Sequence, residues 1–167
     1  MDASGQIPYR DMRGLLKHLE ANGELLRIAK PVSPKHIHTL LAKSDQAILF
    51  ENVEDYDIPV VGGLIGSRRR LALGLASDEK VLGRTFMKAL ENPLSAEITS
   101  DGAVKEVVKI GDEVDLTEIP IPFQHRKDGG PYISAGIAVS KCEEGRRNVG
   151  CYRLMYRTPN ETGIDLV

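Results

Sequence analysis

Apolar residues recur at helical spacing over positions 10–22, where Met12, Leu15, Leu16 and Leu19 fall on one face and Gly23 supplies a stop. Positions 25–28 have the composition of a short strand. Ser33-Pro34 then opens a second helix, with Ser33 as N-cap, Pro34 at the first helical position and an apolar face of Ile37, Leu40 and Leu41. The compact apolar run 47–53 predicts a buried strand, and 58–61 another, ending in the Gly62-Gly63 turn. A helix from about Ser67 would carry Leu71, Leu73 and Leu75. A clearer one over 78–90 would place Val81, Leu82, Phe86 and Leu90 on one face.

Strand and helix alternate to residue 90, which predicts an α/β layer arrangement. The pattern then changes. Positions 97–122 predict extended chain, and nothing from there to Arg157 has helical period. Two strands are expected, 132–141 and 146–157, joined by the turn Cys142-Glu-Glu-Gly145, with no closing element foreseen before Val167. The fold class is therefore α/β (α+β), with a boundary inside Glu91-Asn-Pro-Leu-Ser95 that separates domain 1–95 from domain 96–167.

Composition narrows this little. The 167 residues are 41% hydrophobic and 28% charged, with a net charge of −2, which gives no general attraction to nucleic acid or to an anionic membrane. No apolar stretch approaches a membrane span, and the N-terminus lacks the regions of a signal peptide. Cys142 and Cys151 match neither a metal motif nor a disulfide framework and read as reduced thiols of a cytoplasmic protein. The basic triplet Arg68-Arg69-Arg70 reads as a solvated helix start.

Candidate chemistry concentrates near the C-terminus. His36 and His38 are two apart on a predicted helix, so they point in different directions and read as exposed histidines. His125 lies in a loop shaped by Pro120, Pro122 and Pro131, with Gly129 and Gly130 open to positive φ and close backbone approach. Asp128-Gly129-Gly130 reads as a turn and only weakly as a phosphate cradle; no dinucleotide fingerprint or Walker sequence occurs. Asn148 offers a neutral oxygen suited to a hard cation, and Arg153 a planar charged fork suited to carboxylate or phosphate. The bland alternatives are that Asn148 finishes a hairpin and Arg153 lies on a solvated strand face. Five residues apart on a regular strand, the two would face opposite sides, so one shared site requires a bulge between them, with Gly150 as the natural residue for it.

Several ordered segments carry a resemblance: Tyr9-Arg-Asp-Met-Arg-Gly-Leu-Leu16, Ala47-Ile-Leu-Phe-Glu-Asn-Val53, Ile58-Pro-Val-Val-Gly-Gly-Leu-Ile-Gly-Ser67, Ile119-Pro-Ile-Pro122, Asp128-Gly-Gly-Pro-Tyr-Ile133 and Asn148-Val-Gly-Cys-Tyr-Arg153. From about Tyr9 to Val167 the chain resembles the N-terminal third of the UbiD-type decarboxylases. The resemblance implies that residues 96–167 are the first strands of a split β-barrel that binds prenylated flavin mononucleotide (prFMN). It implies reversible, non-oxidative decarboxylation of aromatic or α,β-unsaturated carboxylic acids, with a separate flavin prenyltransferase supplying the cofactor. By position, Asn148 is similar to the asparagine that ligates the divalent ion, usually manganese, on the flavin phosphate; potassium is a further ion of this kind. Arg153 is similar to the arginine that contacts the flavin and holds the substrate carboxylate. Gly150, Cys151 and Tyr152 match the strand along the cofactor, and Ser134 and Ala135 match its neighbour near the pocket.

The family's remaining metal ligands, a histidine and a glutamate, and the two glutamates flanking the arginine have no counterpart here. The implied partners are the remainder of the decarboxylase, a small carboxylic acid and, once complete, further copies in a homo-oligomer. On this reading the chain is inactive alone. One subunit of a split enzyme, a non-enzymatic partner-binding module and a small split-barrel flavoprotein are the alternatives.

Overall fold

The computed structural model describes residues 7, 9–95, 99–100 and 102–165. The first half is a three-stranded sheet between helices. Helix α1 (Met12–Ala21) starts where the Asp11 carboxylate accepts the Gly14 N–H at 2.7 Å. It stops at Gly23, whose φ of +71° lets Gly23 N–H reach Glu20 O and Glu24 N–H reach Leu19 O, a Schellman ending. Strand β1 (Leu25–Ile28), helix α2 (Pro34–Leu41) and strand β2 (Ala47–Phe50) form a βαβ unit with β1 and β2 parallel; β3 (Val60–Gly62) adds antiparallel to β2. Helices α3 (Arg68–Gly74) and α4 (Leu82–Glu91) follow.

Both faces of β2 are covered, which is why its sequence is an unbroken apolar run. Ile48 and Phe50 pack with Ile37 of α2 and Val53. On the other side Ala47 joins Leu19 of α1 and Leu25, flanked by Leu73 of α3. The ordered run is shorter than 47–53: beyond Phe50 the Asn52 side chain turns to donate to Ala29 O at 2.6 Å, and Val53 makes only isolated bridges.

The reading of the arginine triplet as a solvated helix start holds for Arg68 and Arg69, which open α3 exposed, but not for the third arginine. Arg70 is only 5% exposed. Its guanidinium donates to Gly63 O (2.8 Å), Asp45 O (2.6 Å) and the Glu24 carboxylate (3.0 Å), which Arg69 also meets at 2.8 Å. These acceptors adjoin one end of β3, β2 and β1, so one side chain closes that end of the sheet. The Ser67 hydroxyl, accepting the Arg70 N–H at 3.1 Å, sets the helix start that aims it.

Other expectations shift locally. Ser33 precedes α2 without a side-chain cap. The helix expected over 78–90 begins only at Leu82, because the Asp78 carboxylate takes the Lys80 N–H in a tight turn. Where the 97–122 segment is described it is not uniformly extended. Single 3-10 turns occupy Ala103–Lys105, Gly111–Glu113 and Leu116–Glu118, set by Gly111 at φ +61° and by Asp115 capping the Thr117 N–H at 2.8 Å. Glu97 itself lies outside the described residues.

The second half is an antiparallel meander of β4 (Tyr132–Lys141), β5 (Arg147–Thr158) and β6 (Glu161–Ile164). Strand β6 is the element that the sequence pattern did not reveal. Its four residues, ETGI, follow the tight Pro159-Asn160 turn without a full alternation to mark them.

Replacing Arg70 with Met removes the bonds to both carbonyls and half of the Glu24 pairing; urea denaturation should show a loss of about 3–5 kcal/mol. Arg69→Ala, at a half-exposed pair, should cost under about 1 kcal/mol. The Thr117 hydroxyl and N–H hold the Asp115 carboxyl below its usual range. Its contribution is therefore present above the ordinary carboxylate range and lost as pH falls through the lowered pKa. Asp115→Asn should flatten that part of the acid limb of a pH–stability profile.

Candidate functional site

The hairpin of β4 and β5 holds every site residue that the resemblance implies, from Ser134 to Arg153. Its turn closes through Cys142 N–H to Arg146 O and Gly145 N–H to Cys142 O, both at 2.9 Å, with Gly145 at φ +87°. From there the ladder runs evenly: Arg147 opposite Lys141, Asn148 opposite Ser140, Val149 opposite Val139, Gly150 opposite Ala138, Cys151 opposite Ile137 and Tyr152 opposite Gly136. The bulge expected at Gly150 is absent. The register instead shifts between Ile133 and Gly136, so Ser134 and Ala135 together oppose Arg153. The extra residue belongs to the partner strand. Gly150 has another task, since a side chain there would come within 2.5 Å of the Tyr152 ring folded across it.

Alternation along this ladder sorts the candidates. Cys151 and Arg153 share a face with Val149, Val139 and Ile137, which are all more than 60% exposed. Asn148, Gly150 and Tyr152 lie on the other face, Asn148 near the turn, and the Asn148 side chain has no hydrogen bond among the described residues. Ser134 and Ala135 sit in the bulge, directly across from Arg153. The structure thus brings together Arg153, Cys151 and the bulge, and sets Asn148 apart from them.

Arg153 stacks over the Tyr132 ring, 5.5 Å from its centroid, and forms no ion pair among the described residues. Beside it is an open cavity of about 290 Å³ lined by Tyr132, Arg153, Met155, Arg157, Gly163 and Asp165. Arg157, not singled out by sequence, enters here because it is the unpaired residue where β5 slips against β6. Its Nε lies 2.8 Å from the point where a Cβ on Gly163 would be, so that glycine leaves the guanidinium its path. Two guanidinium groups around one cavity, against the single carboxylate of Asp165, make a receptor for an anion. Gln124 is the other residue that sequence reasoning passed over: its amide donates to the Ser134 hydroxyl at 3.2 Å and ties the preceding loop to the bulge.

That loop is held by backbone bonds from Tyr132 N–H to Pro122 O (3.4 Å) and Tyr156 N–H to Pro131 O (3.0 Å). Asp128 behaves as a turn residue, accepting the His125 N–H at 2.9 Å, and neither Gly129 nor Gly130 takes positive φ. No group of three or more His, Cys, Asp or Glu among the described residues is placed to hold a metal.

Residues 16–90 match the model of the 3-octaprenyl-4-hydroxybenzoate carboxy-lyase N-terminal domain, and residues 96–167 that of the Rift-related domain of the same enzymes. The chain belongs to the UbiD family of carboxy-lyases. Among solved structures it is similar to an evolved dimeric form of the UbiD-class enzyme HmfF from Pelotomaculum thermopropionicum in complex with prFMN. That match has 36% identity and a TM-score of 0.88, covering 95% of this chain and 39% of that one. Vanillic acid decarboxylase from Sedimentibacter hydroxybenzoicus, in open form, matches at 28% identity and TM-score 0.83, over 95% and 38% of the two chains. The fold is shared as well with apo 3,4-dihydroxybenzoic acid decarboxylase of Klebsiella pneumoniae, at 22% identity and TM-score 0.86 over 95% and 37%. The chain therefore spans less than two fifths of the length of each of these three chains. No helix among its described residues is long and apolar enough to cross a membrane.

Gly136 is where the bulge returns to register, and a Cβ there would sit 2.3 Å from Leu154 Cδ1 and 2.7 Å from Tyr152 O. Gly136→Ala should cost about 1–3 kcal/mol and shift the amide resonances of Ser134 and Arg153 in a 15N correlation spectrum.

Proposed function

We propose that this chain forms one wall of a prFMN-dependent decarboxylase acting on aromatic or α,β-unsaturated carboxylic acids in the cytoplasm, and that it is inactive by itself. The observation that carries the proposal is the placement of Arg153: a guanidinium without an ion pair, steadied by the Tyr132 ring, over a cavity on the outward face of the hairpin. Such a fork takes a carboxylate through two parallel hydrogen bonds and fixes its plane. Ser134 and Ala135, bulged opposite Arg153, bring backbone groups and a hydroxyl to the same place.

The residues present fit a planar cofactor. The exposed apolar side chains of Ile137, Val139 and Val149 continue the face that carries Arg153 and suit a ring system. When bound, prFMN supplies the electron sink for carbon–carbon bond cleavage. Asn148 has the neutral oxygen that a manganese ion on the flavin phosphate, or potassium, would take. Yet it faces away from Arg153 on an evenly paired stretch of β5, so it would reach an ion on that flavin only if the strand turns once the other ligands, from outside these residues, are in place. Gly150, Cys151 and Tyr152 would run along the cofactor. Domains 1–95 and 96–167, a flavin prenyltransferase as supplier, the remainder of the decarboxylase and assembly into a homo-oligomer complete the reading.

Cofactor retention tests it. The chain, co-expressed with a flavin prenyltransferase and supplied with Mn²⁺, should purify without flavin absorbance and gain it when the remainder of the enzyme is added. Stoichiometric flavin on residues 1–167 alone would overturn the one-wall reading. In the complete enzyme Arg153→Ala should lower kcat by about 10²-fold or more with the far-UV spectrum unchanged. Near-normal turnover by that variant would remove Arg153 from the chemistry.

A further inference from the structure

The largest cavity described lies away from β5, between α2 and the loop that precedes β4, with a volume of about 530 Å³. It joins two features that the sequence left unconnected, His38 on α2 and His125 in the loop. Lys35, His38 and Thr39 enter from one face of α2, at the spacing that stacks side chains one turn apart. Arg126 and His125 enter from the loop, and half-buried Phe123 forms an apolar part of the wall.

Four basic side chains thus border one cavity, and none of them forms an ion pair among the described residues. No acid lines it. Glu54 and Asp55 line an adjacent cavity that shares only Lys35 and Phe123 with this one. The Asp128 carboxylate accepts the His125 N–H at 2.9 Å. His125 Nδ1 accepts the Lys127 N–H at 3.2 Å, which leaves Nε2–H as the ring's donor. Lys35 and Arg126 thus bring two cations to one cavity without an ion-pair partner among the described residues, and a bound anion would supply the counter-charge.

We propose that this cleft binds a small organic phosphate. Arg126 offers the planar fork and Lys35 the point charge that phosphate oxygens accept, with imidazole and hydroxyl donors beside them. Phe123 gives an apolar surface to the organic part, and the volume falls within the range of small-molecule sites. The site is separate from the Arg153 cavity, with which it shares no residue.

Calorimetric titration of the full chain at low ionic strength tests the proposal, with phenyl phosphate and pyrophosphate as probes and citrate as a carboxylate comparator. In the Arg153→Ala background, which takes the guanidinium out of the other anion-binding cavity, both phosphates should bind one to one, more weakly as salt is added. The double variant Lys35→Gln/Arg126→Gln should weaken them by about tenfold or more. Lys141→Gln in the same background should leave them unchanged, and far-UV spectra should show each variant folded. Absence of saturable binding at millimolar phosphate would overturn the site, as would binding that the folded double variant leaves intact. Citrate binding as tightly as pyrophosphate would overturn the assignment to phosphate.

Discussion

A single buried guanidinium fixes the geometry on which the first half of the chain depends. Arg70 is almost withdrawn from water, so its charge requires partners on every side, and it takes them from Gly63, Asp45 and Glu24. Each partner sits at the end of a different strand. None of these strands exceeds four residues, and strands so short specify their mutual register weakly through side-chain packing alone. The shared donor sets a common end point for all of them. It also explains the Gly62-Gly63 pair. Gly63 takes φ +75° to present its carbonyl, and any Cβ on Gly62 would fall 2.4 Å from Leu41 Cδ1.

In the second half, geometry comes from register instead of burial. No residue of β4, β5 or β6 is fully buried, yet the ladder from Arg147 to Tyr152 is regular and its only distortion beside the site faces Arg153. A bulge widens the spacing of side chains on one strand while the other stays straight. Arg153 consequently projects from an undistorted strand, and the adaptable part, Ser134-Ala135, lies across from it and is held by Gln124. On the β6 side the extra residue is Arg157 itself, on β5, so both arginines around the cavity sit beside register shifts but only Arg153 is faced by one on the partner strand.

What was legible in the sequence was whatever local chemistry decides. The bounds of β1 and β4, the Pro34 start of α2 and the Gly23 stop follow from spacing, a fixed φ or a permitted positive φ. What was hidden depends on partners far along the chain. Nothing in Arg68-Arg69-Arg70 distinguishes the third arginine from the first two, because its acceptors lie 7 to 46 residues away. The bulge fell on β4 and not at Gly150, so Asn148 and Arg153 still face opposite sides of β5; where a pairing slips depends on both strands, and neither strand's sequence states it alone. At Asp78 a side chain outcompeted helical period, and at Thr162-Gly163 the strand was too short to show a period.

The distribution of buried residues bears on synthesis. Every fully buried apolar side chain, from Leu19 to Leu82, precedes the second sheet, and both core clusters are complete by residue 73. A nascent chain can therefore consolidate its first sheet while the hairpin is still inside the ribosome, since domains form from the N-terminus as they emerge. The later strands then arrive beside a finished platform with their valines and isoleucines still exposed. That interval is when a chaperone would have most to hold.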